Sequence, residues 1–202
     1  MRVRLVFAAL VVVLASCSRD GRTLRPAGPD QTLTIKTVAT TIASADTTVG
    51  TAIGRADLIF TAPWEDGGTI PRIYTCEGLD QSPDLQWSGI GTETVEIVVS
   101  VIDLDADDAV HWLIAGLDPA TTGITKGKVP RGATQAINSF GIAAWKGPCP
   151  KDREHRYLTT LYALAAPSGV TSSMTAVEAR AKLETIVANR TALTGGYSPG
   201  QG

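Results

Sequence analysis

Between Val95 and Ile102 the chain reads Val-Glu-Ile-Val-Val-Ser-Val-Ile, a nearly unbroken β-branched run. A strand wetted on one face alternates apolar and polar residues, whereas one apolar at successive positions must be covered on both. The run therefore predicts a central strand, which requires neighbours on both edges and packed layers on both faces. Trp112 to Leu117 and Arg156 to Ala165 read as those neighbours. Earlier, Leu58 and Phe60 share one face of a further strand with Ile59 on the other, and Asp66-Gly67-Gly68 reads as a turn. Thr121 to Ala136 is a Gly- and Thr-rich excursion without a clear period. One helix is expected, late in the chain. Thr175-Ala176-Val177-Glu178 matches a capping box, Val177, Ala181, Ile186, Val187, Ala188 and Leu193 supply an apolar face, and Gly195-Gly196 supplies the stop. Together these elements predict a mainly-β fold, an antiparallel two-sheet sandwich with a C-terminal α-helix.

The expected division of the chain is a signal peptide at 1–16, a lipidated cysteine with a flexible tether at 17–55, and a folded domain at 56–202. Arg2 and Arg4 form a charged n-region, and Leu5 to Leu14 is an apolar stretch too short for a mature membrane span. Leu14-Ala15-Ser16-Cys17 then resembles a bacterial lipobox, which makes Cys17 the lipidation site; an ordinary secretory signal peptide is the alternative. An exported, lipid-anchored protein at the outer face of a membrane in a bacterial cell envelope is the localisation this implies. Ser18 to Arg55 has few large apolar residues and no aromatic, too little to offset the entropy of ordering. Within it, Thr32 to Val38 alternates like a short added strand. Loss of Arg2 and Arg4 leaves 16 basic against 20 acidic residues, a formal charge of −4. No basic patch appears, which argues against nucleic acid as a partner.

The central strand leads into Asp103-Leu104-Asp105-Ala106-Asp107-Asp108, followed by His111-Trp112. The second of the chain's two histidines lies in His155-Arg156-Tyr157, just after Gly147-Pro148-Cys149-Pro150. Imidazolium groups and a backbone amide at the Gly147-Pro148 turn suit phosphate oxygens, and Gly147, lacking a Cβ, lets a ligand approach the backbone. Asp103 or Asp105 would orient a histidine and favour its charged form, while burial pulls the other way. Two Asp and two His could also hold zinc or manganese, but the short metal-binding spacings are missing, so no metal or other cofactor is assigned. An Asp/His-dependent hydrolase with Ser139 as nucleophile lacks a G-x-S-x-G elbow; Asn138-Ser139-Phe140-Gly141 reads more simply as a turn bracing the pocket. Trp64, Trp87, Trp112 and Trp145 read as core or pocket wall. Cys76 and Cys149 form an even pair in an exported protein, either bonded or as two buried thiols.

These residues carry a resemblance. Asp103-Leu104-Asp105-Ala106-Asp107 with His111-Trp112, and Gly147-Pro148-Cys149-Pro150 with His155-Arg156-Tyr157, resemble the two signatures of the phosphatidylethanolamine-binding protein family in its bacterial Raf kinase inhibitor-like branch. Asp66 to Pro71, Tyr74 to Gly78, Ser82 to Trp87 and Asn138 to Gly141 fit in order, so that the likeness spans about Ala56 to Tyr197. It implies two antiparallel sheets with a pocket for phosphate-like head groups at one end, lined by Asp103, Asp105, His111, Gly147, Pro148, His155 and Tyr157. Leu104 and Asp107 depart from it, standing where the family has prolines that would stiffen the loop. Asp107-Asp108 adds negative charge there, which Lys151 and Arg153 could offset. The expected function is a membrane-anchored binding module for a phosphate-containing small molecule or lipid head group, with no assigned catalysis. The runner-up is a protein-interaction module such as a protease inhibitor.

Overall fold

The computed structural model describes residues 57–200; the expected signal peptide, Cys17, the expected tether and the alternating stretch Thr32 to Val38 lie outside the described residues. Nine strands in chain order are β1 (Ile59–Thr61), β2 (Gly68–Thr69), β3 (Leu85–Ser88), β4 (Glu96–Asp103), β5 (Ala109–Leu117), β6 (Gly123–Ile124), β7 (Thr134–Gln135), β8 (His155–Leu164) and β9 (Val187–Tyr197), with one α-helix, α1 (Ala176–Leu183), between the last two. They form a three-stranded sheet, β1-β3-β6, and a six-stranded sheet, β2-β9-β8-β4-β5-β7. β4 lies inside the larger sheet, antiparallel to β5 and β8, and every one of its residues is buried.

The period of two explains why. Ile97, Val99 and Val101 point between the sheets, where they pack with Leu85, Trp87, Trp112, Ile124 and Leu161. Val98 and Ile102 point to the opposite face and pack with Leu113, Tyr162 and Leu164 beneath Ala176, Ala179 and Leu183 of α1. One strand therefore serves two cores, and the fold is the expected sandwich with a helix on the outer face of its larger sheet. All four tryptophans are buried.

The helix begins as expected. Thr175 Oγ1 accepts from the Glu178 amide at 3.3 Å, and the Glu178 carboxylate accepts from the Thr175 amide at 3.2 Å. It ends sooner than expected. Ala176, Ala179 and Leu183 are its buried face, while Val177 is 60% exposed. The stretch taken for its second half is β9, which pairs along β8 from His155↔Tyr197 to Leu164↔Val187. The free edge of the long strand β8 needs that partner, and β-branched Val187, Thr191 and Thr194 suit it. Gly195-Gly196 is consequently strand rather than stop, paired with β2. A Cβ at Gly195 would stand 2.6 Å from Trp64 Nε1, so the missing side chain makes room for the core.

Candidate functional site

β4 delivers Asp103 to one end of the larger sheet, beside Tyr157 on β8, its register partner. His155 and Tyr157, two residues apart, share a strand face. His111 arrives through an irregularity in β5: Trp112 pairs with Val101 and Val110 with Ile102, leaving His111 as the extra residue of a bulge. Its carbonyl, released from the ladder, accepts from Asn138 Nδ2 at 3.1 Å and from the Lys146 amide at 3.2 Å. The turn at Asn138-Gly141 does brace this region. Phe140 meets the His111 ring edge-on at 4.8 Å, Tyr157 does so at 5.2 Å, and the Ser139 hydroxyl accepts from the Val110 amide at 2.8 Å.

Around these groups lies a cavity of about 420 Å³, lined among others by Asp103, His111, Gly147, His155 and Tyr157. Asp103 is 3% exposed. Its Oδ1 accepts from the Asp105 amide at 2.9 Å and its Oδ2 from His155 Nδ1 at 2.8 Å, with His111 Nε2 4.0 Å from the same oxygen. The Tyr157 hydroxyl is buried without a hydrogen bond of ordinary length, its nearest polar neighbours being the Asp103 carboxylate and the Cys149 backbone. Burial, then the neighbouring Asp103 charge, pushes its pKa well above the ordinary phenol value. Burial also lowers the pKa of His111, outweighing the Lys146 carbonyl and Asp103, so desolvation wins the contest expected there. A wider hollow of about 830 Å³ over β3 and β6 contains one carboxylate, Asp84, and no histidine; the chemistry is concentrated in the smaller cavity.

Three expected site residues have other positions or duties. Asp105 turns away from the cavity and accepts from the Arg156 amide, Nε and Nη2 at 2.9, 3.0 and 3.1 Å. Those bonds, from the Arg156 side chain first, lower its pKa to about 2. A carboxylate so engaged does not steer a histidine; Asp103 alone does. The Gly147 amide, expected to face a ligand, donates to Asp80 Oδ1 at 2.6 Å, and a Cβ there would collide with the Tyr74 carbonyl. Its missing side chain serves close backbone packing. Pro148 stands outside the cavity lining, its carbonyl accepting from the Cys76 amide at 3.1 Å.

Asp80 and Lys146, joined at 3.0 Å, carried no signal in the sequence; neither lies in a periodic pattern, and only folding brings residues 80 and 146 together. Cys76 and Cys149 are disulfide-bonded, with Cα atoms 5.4 Å apart. The bond ties the cavity wall to the 72–80 segment, and Trp145 Nε1 adds a 3.2 Å hydrogen bond to the Tyr74 carbonyl. The loop after Asp103 is anchored despite its missing prolines: the Leu104 amide donates to the Arg156 carbonyl at 2.8 Å and Leu104 packs on the outer core. Asp107 and Asp108 adopt φ of 50° and 53°. Proline, locked near −65°, would not fit this conformation at 107. No group of three or more His, Cys, Asp or Glu among the described residues is placed to hold a metal ion.

Residues 61–198 match the model of the phosphatidylethanolamine-binding protein family. The chain belongs to that family. A UPF0098 protein of Methanothermobacter thermautotrophicus is 38% identical over 111 residues, covering 52% of this chain and 74% of its own. LppC of Mycobacterium tuberculosis, named as a candidate lipoprotein, is 32% identical over 170 residues, 81% of each chain. The crystal structure of Escherichia coli YbcL, described as a member of the mammalian PEBP family, superposes with a TM-score of 0.67 at 25% identity, over 71% of this chain and 99% of YbcL. No helix among the described residues is long and apolar enough to cross a membrane.

Proposed function

We propose that this member of the phosphatidylethanolamine-binding protein family is an exported binding module that takes a small oxyanion, a phosphate-type head group of a soluble molecule or a lipid, without catalysing its conversion. The observation that carries this reading is the Tyr157 hydroxyl: buried, without a hydrogen bond of ordinary length, and lining a cavity that also contains His111 and His155. A buried donor left unmade costs about 1–3 kcal/mol, and a bound oxyanion would supply its acceptor. Calorimetric titration with inorganic phosphate tests the reading. Tyr157→Phe and His155→Ala should each weaken binding several-fold, and unchanged affinity in both would remove these residues from the site.

Anchoring through Cys17 is part of the same proposal, supported by Leu14-Ala15-Ser16-Cys17 and by the likeness to LppC. Cys17→Ala should abolish membrane partition of the full-length chain in a bacterial host; an unchanged membrane fraction would refute the anchor. A second reading, docking of a protein partner such as a protease on the cavity rim, is favoured by Phe140, which lines the cavity and is 49% exposed. Only the pocket reading requires phosphate to compete with the physiological ligand.

A further inference from the structure

The hydrogen-bonding groups around the cavity do not suit a bare anion. His111 Nδ1 lies 2.6 Å from the Lys146 carbonyl oxygen, which can only accept, so Nδ1 carries the ring proton. His155 Nδ1 donates in the same way to Asp103 Oδ2. With each Nδ1 committed, the Nε2 of a neutral ring is an acceptor, as is every oxygen of a fully ionised phosphate. The charges agree with this. Facing His111 are Asp103 from β4, His155 and Tyr157 from β8, and Lys146 with its partner Asp80 from the two joined loops; Lys151 and Asp152 complete the wall. Lys146 is paired with Asp80, and the charges of Lys151 and Asp152 on the wall cancel, so the buried Asp103 carboxylate is left over. An arriving anion meets that negative charge and an acceptor nitrogen.

We propose that the cavity takes its oxyanion together with one proton, shared between His111 Nε2 and a ligand oxygen, and that its ligand class is a phosphate group bearing an ionisable hydroxyl, as in a phosphomonoester or inorganic phosphate, in preference to a phosphodiester. This rests on the reading of the cavity as a phosphate site. The hydrogen phosphate P–OH donates to His111 Nε2 while another of its oxygens accepts from the Tyr157 hydroxyl, and no covalent bond changes. A phosphodiester has no such hydroxyl and must draw its proton from solvent onto His111, which burial already holds in the neutral form. A phosphomonoester, with a second pKa near 6, carries that proton at less cost.

The test is calorimetric titration of the full-length chain in detergent at pH 7.5, in two buffers of different ionisation enthalpy, with inorganic phosphate, methyl phosphate and dimethyl phosphate. Methyl phosphate, doubly ionised at this pH, should bind with uptake of about one proton; inorganic phosphate, whose hydrogen phosphate ion already bears a hydroxyl, should bind with less; and dimethyl phosphate should bind about tenfold or more weakly, regaining affinity as the pH falls below about 6.5. Tighter binding of methyl phosphate than of inorganic phosphate would mark an ester as the natural source, and equal binding would show that free phosphate suffices. His111→Gln places an amide that can donate without titrating, so it should bind methyl phosphate with the proton uptake lost. Binding of methyl phosphate without proton uptake, equal affinity for dimethyl phosphate at pH 7.5, or unchanged uptake with methyl phosphate in a folded His111→Gln would each overturn this inference while leaving the phosphate site standing. No binding of any of the three ligands between pH 5 and 8 would overturn both.

Discussion

β4 carries a buried carboxylate at each end, and the two are treated differently. Glu96 is closed off: its Oε1 accepts from the Gly116 amide at 2.8 Å and the Ser168 hydroxyl at 2.6 Å, and its Oε2 from the Ser168 amide at 2.7 Å. Its donors are backbone amides and an alcohol, none of which titrates near neutrality. It ties the start of β4 to the β5 bulge at Gly116 and to the segment after β8. Asp103 has one amide, but its other neighbours are imidazoles beside a cavity and a phenol without a hydrogen bond of ordinary length. The same strand thus ends once in a saturated clamp and once in a site with bonds still to make. Complete satisfaction stabilises a fold; incomplete satisfaction leaves room for a ligand.

That contrast can be broken from either end. The largest effect should come from the staple behind the cavity. Replacing Cys76 and Cys149 by serine frees a loop spanning 73 residues, which should lower the unfolding free energy by up to about 4 kcal/mol and weaken phosphate binding, both measurable on one purified variant. Next, Glu96→Ala orphans three donors, the two from Ser168 buried, and should cost about 3 kcal/mol in urea denaturation. Its phosphate affinity should be unchanged; a matching loss of affinity would show that the two ends are coupled.

Acid should separate the ends further. His111 has a folded pKa below its ordinary value of 6.5, so the unfolded chain binds more protons as the pH falls. Its contribution is fully present above about pH 6.5 and is lost as the pH drops toward the lowered folded pKa. His111→Gln should flatten that limb of the stability profile, whereas Glu96→Ala should shift the whole curve down and leave the limb in place. Saturating phosphate should offset the loss in the wild type, because the bound anion favours the protonated ring. The smallest effect belongs to Tyr157→Phe. Removing a hydroxyl that lacks a full hydrogen bond should leave stability unchanged or raise it by up to about 1 kcal/mol, with affinity lowered. A clear loss of stability would mean that the hydroxyl is satisfied in the free protein.

Much of this molecule is legible in the sequence wherever a property depends on residues close together. The apolar run of β4 demands cover on both faces whatever supplies it, and the Thr175–Glu178 capping box closes within one turn. The two histidine-containing segments mark the site because strands of alternating side chains put their polar ends at one edge. Tertiary structure decided what depends on distant partners. Val187 to Tyr197 is a strand because β8 has an open edge, not because its own pattern forbids a helix. Asp103 rather than Asp105 holds His155, since the pleat sends Asp103 inward, while Asp105 turns out to Arg156. Gly147 is spent on the Tyr74 carbonyl, and Asp80 appears at the site only once the 72–80 segment is stapled to Cys149. Backbone periodicity is written locally and can be read from one segment. Which donor meets which acceptor is set by register between strands and by loop closure, and these exist only in the folded chain.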